Sequence, residues 1–178
     1  EIASCLVGSE MCIRDRCLKM KIQKPNTSFQ IVAHRGLSQK YPENTLEGFK
    51  AALMQHIDML EIDVHFTKDK QLVVIHDDSI DRTSNQKGKV KDFTLEELKQ
   101  FDFGIKHGES FKNTCISTFS EVLSLFKKYS KTLLIEIKKP EQYPGIEKAL
   151  LEELDKFQIP SHRVVIQSFD VELSLIHI

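Results

Sequence analysis

Apolar and polar residues alternate most clearly between positions 60 and 66, where the sequence runs LEIDVHF. Successive side chains of a β-strand point to opposite faces, so Glu61 and Asp63 share one face and the apolar residues share the other. Two neighbouring carboxylates on an otherwise apolar strand repel each other and lose hydration. A divalent cation held by oxygen ligands would relieve both costs. A strand that simply turns one polar face to solvent explains the same alternation without chemistry.

Similar patterns predict secondary structure along most of the chain. The predicted strands are 30–34, 60–66, 72–75, 132–138 and 163–169, and the predicted helices are 44–57, 94–98, 119–128 and 146–157. Strands that alternate with helices indicate a parallel sheet, and polar residues at the strand ends fit an α/β fold of the TIM-type (β/α)8 barrel class. An open doubly wound sheet is the alternative, but no glycine-rich phosphate loop follows the first strand.

Two local features sharpen this picture. Asn44 and Glu47 have the spacing of a capping box, and the apolar stripe that follows them is typical of a helix packed on a core. Residues 67–71 form a polar turn, so the strands on either side are expected to pair as a hairpin whose residue numbers add to about 138. This register places His76 beside Ile62, between the two carboxylates.

The composition is that of a globular domain. The chain has 178 residues, of which 40% are hydrophobic and 29% are charged, and its formal net charge is -1. This balance argues against binding to nucleic acid or to an anionic membrane surface. The sequence also contains no apolar run long enough to span a bilayer.

The cysteines argue against a disulfide-stabilised protein. Cys5, Cys12, Cys17 and Cys115 show no metal-ligand spacing, and three of them crowd the N-terminus. That region also lacks the order of charged, apolar and small residues found in a secretion signal. A reducing cytoplasm is therefore the expected compartment.

Both ends of the chain look foreign to the domain. Residues 11–15 (MCIRD) can be encoded by a DNA string whose reverse complement can encode part of residues 173–178 (LSLIHI), an arrangement that resembles a transposon adapter from sequencing-library preparation. We therefore expect residues 1–28 to lie outside the domain and to be partly artefactual, and residues 172–178 to be an artefactual tail. The domain itself is expected over 29–171, with 77–114 as a polar excursion from the main fold.

The polar residues near strand ends form one chemically coherent set. Its members are His34, Arg35, Glu61, Asp63, His76, Glu136 and Lys138. Three carboxylates suit a hard cation such as Mg²⁺ or Ca²⁺, and two imidazoles suit a general acid and a general base near neutral pH. The two cationic side chains suit phosphate oxygens. Since no Ser or Cys has a nucleophile's setting, the set predicts metal-assisted cleavage of a phosphodiester rather than a serine-type hydrolase.

These residues occur within six ordered motifs. They are 34–36 (HRG), 42–45 (PENT), 61–63 (EID), 76–83 (HDDSIDRT), 134–138 (LIEIK) and 167–169 (QSF). In this order they resemble the motifs of the glycerophosphodiester phosphodiesterase family, over roughly residues 31–170. The resemblance implies a TIM-type barrel, a divalent metal, and hydrolysis of small-molecule glycerophosphodiesters to an alcohol and sn-glycerol 3-phosphate.

The resemblance also implies roles for individual residues. His34 and His76 match the acid/base pair, the three carboxylates Glu61, Asp63 and Glu136 match the metal ligands, and Arg35 and Lys138 match phosphate contacts. In related enzymes the substrate's own 2-hydroxyl can attack the phosphorus, which would explain why no protein nucleophile is evident. The family continues beyond 167–169 through roughly four more strands, one with a Trp, whereas this sequence has no Trp. We therefore expect only about the N-terminal half of the barrel.

Alternatives remain at this point. A lysophospholipase D or a sphingomyelinase D-like enzyme could use the same residues on lipid substrates, but it would need an exposed apolar loop near the site, and 77–114 is polar. The chain could also be an inactive fragment. Glu43 and Asn44 are expected either to bind substrate or only to shape the first loop. The histidines outside the motifs, His56, His65, His107 and His162, are expected to be surface or packing residues.

Overall fold

The computed structural model describes residues 6–7, 10–12 and 29–168 of the chain. Its strands are β1 (Leu6–Val7), β2 (Glu10–Cys12), β3 (Gln30–His34), β4 (Met59–Phe66), β5 (Leu72–Val74), β6 (Ser117–Thr118), β7 (Thr132–Ile137) and β8 (Val164–Gln167). Its α-helices are α1 (Leu46–Leu53), α2 (Leu95–Lys99), α3 (Phe119–Phe126) and α4 (Ile146–Lys156). Most of the expected foreign segments, and the last residue of the 167–169 motif, lie outside the described residues.

The centre of the fold is a parallel sheet in the order β3–β4–β7–β8. The hairpin of β4 and β5 has the expected register, since Val64 pairs with Val74 and Phe66 pairs with Leu72. Val64 also pairs with Ile137, so β5 and β7 must lie on opposite edges of β4. The described strands form an open sheet and not a closed barrel. β2 pairs in parallel with the outer edge of β3.

Helix α1 begins one residue later than the capping-box spacing predicts. Thr45 is its N-cap, with backbone in the extended region, and its side chain accepts a hydrogen bond from the amide of Gly48. The prediction that Asn44 caps this helix is wrong, because Asn44 has φ 55°, in the left-handed region, whereas an N-cap residue is extended. The apolar stripe is confirmed as core, with Phe49, Leu53 and Ile57 buried.

The other helices agree closely with the pattern of apolar residues. Helix α3 lies within the predicted helix 119–128 and buries four apolar residues, Phe119, Val122, Leu123 and Phe126. Helix α2 has Thr94 as its N-cap, and Thr94 and Glu97 form a capping box in which they exchange hydrogen bonds. Helices α1, α3 and α4 pack on the sheet and bury one large apolar cluster, which includes the side chains of β4 and β7 that point away from the carboxylates.

The segment 77–114 has a small core of its own. Ile80, Val90 and Leu98 are fully buried against residues of β5 and its continuation. The segment is polar at its surface, as expected, but these contacts attach it firmly to the back of β5. It therefore holds the residues that follow β5, including His76, in a fixed position relative to the sheet.

The last described strand lies at the border of the sheet. β8 pairs with β7 in parallel through residues 164–167. Val165, in the middle of β8, is 42% exposed, whereas valines in parallel strands that are covered on both faces are buried.

Within the described residues, no helix has both the length and the apolar character needed to cross a membrane.

Candidate active site

Three buried carboxylates meet at the carboxyl ends of the parallel strands. Asp63 on β4 pairs with Glu136 on β7, while Glu61 pairs with His34 at the end of β3. Each of the three acids offers one oxygen, and these oxygens lie within 4.8 Å of one another. The side chains gather because the alternation of the strands turns Glu61, Asp63 and Glu136 to the same face. The structure thus brings together the three predicted metal ligands.

The carboxylate cluster has the chemistry and the spacing of a cation site. Oε1 of Glu61 is buried and accepts no hydrogen bond from any described residue, and buried Oδ1 of Asp63 has the ammonium of Lys138 at 3.3 Å as an ion-pair partner. Opposite oxygen ligands lie about 4.1 Å apart around Mg²⁺ and about 4.9 Å apart around Ca²⁺. The three carboxylate oxygens, all within 4.8 Å of one another, are compatible with either ion. Buried oxygens without donors are costly, and a cation is the partner that would satisfy them.

The raised pKa of Glu61 also indicates that the cluster lacks positive charge. Burial and the neighbouring charges of Asp63 and Glu136 raise the pKa of the Glu61 carboxyl to about 8, even though the amide of Arg35 donates a hydrogen bond to it. The metal-free cluster therefore favours a proton on Glu61 at neutral pH. A divalent cation would displace this proton, because only the ionised carboxylate is a ligand.

Two basic side chains reach the carboxylates from neighbouring strand ends. Nε of Arg35 lies 3.4 Å from Oδ2 of Asp63, and Nζ of Lys138 lies 3.3 Å from its Oδ1. Lys138 also forms an ion pair with Glu136. These contacts leave positive charge at the open side of the cluster, where a substrate phosphate would arrive.

Amide side chains fix the orientation of two carboxylates. Nδ2 of Asn44 donates a hydrogen bond of 3.0 Å to Oδ2 of Asp63, and both groups are buried. Nε2 of Gln167 donates to Oε2 of Glu136 at 3.3 Å. Such contacts hold a metal ligand in one rotamer and leave its other oxygen available.

Of the two predicted acid/base histidines, His34 lies beside this cluster and His76 lies in the loop after β5. Nε2 of His34 is 4.0 Å from Oε2 of Glu61. The expectation that His76 pairs beside Ile62 is wrong, because the β4–β5 ladder ends at Val74 and His76 belongs to the following loop. Nδ1 of His76 donates to Oδ1 of Asp77 at 2.7 Å. Its Nε2 is therefore the nitrogen that can exchange a proton with a substrate.

Arg82 joins the two loops that carry these groups. Its guanidinium donates two hydrogen bonds to the carboxylate of Asp77 and two to that of Glu43. Burial raises the pKa of the Asp77 carboxyl, but hydrogen bonds from Arg82 and His76 outweigh burial and lower it to about 2. Asp77 is therefore ionised at neutral pH and holds His76 in the tautomer with a proton on Nδ1.

Sequence reasoning undervalued several residues of this site. Asp77 and Arg82 belong to the 76–83 motif. Their closeness to His76 in the sequence is the signal that could have assigned them a role in orienting it. His65 was expected to be a surface or packing residue, and it is fully buried beside the site. Tyr143, which contacts it, gave no signal in the sequence. Glu43 and Asn44 use the described hydrogen bonds to hold Arg82 and Asp63, and a direct contact with substrate stays a prediction.

Comparisons with known proteins identify the family of this chain. A model of the glycerophosphoryl diester phosphodiesterase family matches residues 34–177. The chain belongs to this family. A glycerophosphodiester phosphodiesterase from Caldanaerobacter subterraneus subsp. tengcongensis is 47% identical over 141 residues, which cover 79% of this chain and 58% of that protein. One from Bacillus altitudinis is 44% identical over 142 residues, which cover 79% of this chain and 58% of that protein.

Solved structures of the family place the open sheet in context. The structure of a phosphodiesterase from Oleispira antarctica, in complex with the product sn-glycerol 3-phosphate, matches with a TM-score of 0.75 and 33% identity. That match covers 80% of this chain and 58% of the other. The chain therefore spans less than two thirds of the length of these relatives. Family members are TIM barrels, and the described strands correspond to part of such a barrel.

Proposed function

We propose that the protein containing this chain hydrolyses glycerophosphodiesters to an alcohol and sn-glycerol 3-phosphate in a metal-dependent reaction. The observation that carries the proposal is the buried cluster of Glu61, Asp63 and Glu136, with His34 beside Glu61. Three oxygen ligands suit a hard cation, Mg²⁺ or Ca²⁺. When bound, the cation would neutralise charge on the phosphate oxygens.

Arg35 and Lys138 would bind the phosphate. Both side chains lie within ion-pair distance of Asp63, so their positive charges stand beside the carboxylate cluster. In a site shielded from water such cations stabilise the charge that develops on the non-bridging oxygens. Asn44 supports this arrangement because its amide holds Asp63 from the other side.

The two histidines would move the protons. One imidazole takes a proton from the hydroxyl that attacks phosphorus, and the other gives a proton to the oxygen of the departing alcohol as its bond to phosphorus breaks. Asp77 accepts the hydrogen bond of Nδ1 of His76, so Nε2 of His76 is the nitrogen that exchanges the proton. Arg82 donates to Asp77 and keeps it in place.

Among the described residues no Ser or Cys has the setting of a nucleophile at the site, and we assign the attack to the glycerol 2-hydroxyl of the substrate. This attack breaks the bond from phosphorus to the departing alcohol and leaves a five-membered cyclic phosphate of glycerol. The histidines then exchange roles: one takes a proton from a water molecule that attacks phosphorus, and the other protonates the glycerol 2-oxygen as its bond to phosphorus breaks, which gives sn-glycerol 3-phosphate.

The test uses the full-length protein, meaning this chain together with whatever else its gene encodes. Purified protein is given glycerophosphodiesters with choline, ethanolamine, glycerol or inositol head groups, and sn-glycerol 3-phosphate is measured with and without a chelator. We expect release that requires the divalent cation. A matched substrate that lacks the 2-hydroxyl should be inert. Turnover of that analogue, or turnover undiminished by chelation, would contradict the proposal.

The lipid alternative is less favoured by the surface of the protein. An enzyme acting on lysophospholipids or sphingomyelin at a membrane needs exposed apolar residues beside its site. Among the described residues, the large exposed hydrophobic side chains are Phe29, Met54, Leu151 and Val165, and none of them lies in the segment 77–114. Including a lysophospholipid in the same assay tests this directly.

A further inference from the structure

His65 connects three elements of the site from beneath. It lies on β4, two residues beyond Asp63, and is fully buried. Its Nε2 lies 3.1 Å from the carbonyl oxygen of His76, in the loop after β5. Its Nδ1 lies 3.0 Å from the hydroxyl of Tyr143, in the loop after β7. The imidazole of His65 thus links β4, which carries Glu61 and Asp63, to two loops. One is the loop after β5, which carries His76, and the other is the loop after β7, which carries Lys138.

The chemistry of the partners fixes the tautomer of His65. A backbone carbonyl only accepts, so Nε2 of His65 must carry a proton and donate it to His76. In the ring with its proton on Nε2, Nδ1 has a lone pair, and the hydroxyl of Tyr143 donates to it. Burial raises the pKa of Tyr143 to about 12, which keeps this hydroxyl protonated. The chain from Tyr143 through His65 to His76 therefore runs in one direction with every group satisfied.

A second link between the same two loops lies at the surface. Nζ of Lys139 is 2.7 Å from Oδ2 of Asp78, next to Asp77. The Lys139 side chain is 49% exposed, and ion pairs in such positions contribute little to stability. The buried link is the stronger constraint, because breaking it would leave a carbonyl or an imidazole nitrogen unsatisfied in the interior.

We propose that His65 and Tyr143 are positioning residues that set where the imidazole of His76 stands relative to the carboxylate cluster. The inference rests on the proposed function, since His76 matters to turnover only if it transfers a proton. Neither residue touches the space above the cluster through the contacts described, so each acts through the backbone of His76. A shift of about 1 Å in a proton-transfer group can lower the rate about 10²-fold.

The test compares three variants of the full-length protein. His65→Leu removes both hydrogen bonds, and Tyr143→Phe removes only the donor to Nδ1. His65→Gln keeps a donor near the position of Nε2 and should restore part of the loss. We expect His65→Leu to lower kcat by about 10–100-fold, Tyr143→Phe to lower it less, and KM and metal affinity to change little. Lys139→Ala, which breaks the surface link, should leave kcat unchanged.

Two further measurements separate positioning from simple destabilisation. Val122→Ala in the core of α3 is a control that lowers the melting temperature without touching the site, and kcat should survive it. Nitrogen-15 NMR of the wild-type imidazoles should show His65 neutral with its proton on Nε2, and a crystal structure of His65→Leu should show His76 displaced. A His76 that stays in place, a kcat unchanged in His65→Leu, or the other tautomer would overturn the inference.

These results remain distinct from a failure of the proposed function. If the wild-type protein releases no sn-glycerol 3-phosphate, the proposed function fails. The NMR and crystallographic measurements need no substrate, and they still decide whether His65 and Tyr143 hold the His76 loop.

Discussion

Nδ2 of Asn44 lies 3.0 Å from Oδ2 of Asp63, with both groups buried. This hydrogen bond joins the loop after β3 to the central carboxylate of the cluster. It also explains the unusual backbone of Asn44, whose φ of 55° turns the side chain toward β4 instead of toward the amides of α1. Asparagine tolerates this left-handed conformation better than most residues. The neighbouring Thr45 takes over as helix cap.

The first prediction separates these two neighbours. Asn44→Gly keeps a residue that accepts positive φ but removes the amide, so Asp63 loses its orienting donor. We expect metal affinity or activity to fall about 10–100-fold, with little change in melting temperature. Thr45→Ala is the matched control and should show the reverse, a loss of about 1 kcal/mol in stability with metal affinity unchanged. Calorimetric metal titration and thermal melts of both variants decide it, and equal metal affinity in wild type and Asn44→Gly would refute it.

The second prediction concerns the carboxylates as ligands. Glu61→Gln and Asp63→Asn should each abolish metal binding and turnover. Glu61→Gln should cost little in folding, because the metal-free protein already favours a neutral Glu61. Asp63→Asn should cost more, because Arg35 and Lys138 lose their carboxylate partner. The measurements are metal titration and turnover at saturating metal, with circular dichroism to confirm folding. Near-normal turnover in both variants would show that these carboxylates are structural.

The third prediction follows from the pKa of Glu61. A carboxyl whose pKa is raised from 4.5 to about 8 on folding binds more protons in the folded state than in the unfolded state between those values. The free energy of unfolding must then fall as pH rises through this window. We expect the chelator-treated protein to melt at a lower temperature at about pH 8 than at about pH 5.5, and this difference to shrink in Glu61→Gln. A variant with the same pH dependence as wild type would place the effect elsewhere.

The fourth prediction concerns the histidines. General acid/base groups contribute about 10²–10⁴-fold each, so His34→Ala and His76→Ala should lower kcat by about that range. The wild-type pH–rate profile should be bell-shaped, and each variant should lose one limb. His162→Ala, in the 3-10 turn Ser161–Arg163 that precedes β8, is the control and should keep both limbs. A site variant that retained both limbs would be removed from the mechanism.

The fifth prediction concerns residues 1–178 expressed alone, which we expect to be poorly stable and inactive. The strands leave an open sheet with Val165 exposed at its border, and the inner faces of β3, β4 and β7 lack the layers of side chains that fill a barrel. Domains are held by only about 5–15 kcal/mol, which such losses readily exceed. A soluble monomer with a sharp two-state melt and measurable glycerophosphodiesterase turnover would prove this wrong.

Local sequence patterns predicted the main strands and helices and the three carboxylates that lie together. The alternation through Glu61 and Asp63 gave their shared face, and the polar turn after β4 fixed the hairpin register. Both patterns are local, because the period of a strand and the length of a turn constrain side-chain direction without help from distant residues. The three carboxylates were predictable for the same reason, since each follows the parity of its own strand.

The roles of Asn44, His65 and His76 around this cluster became visible in the tertiary structure alone. Asn44 reads as a helix cap in the sequence, and His65 reads as packing, because their partners Asp63 and Tyr143 are distant along the chain. The position of His76 also depended on where β5 ends, which the attached segment 77–114 controls through its own buried core. Hydrogen bonds across loops depend on the relative placement of whole elements, and no local periodicity encodes that placement.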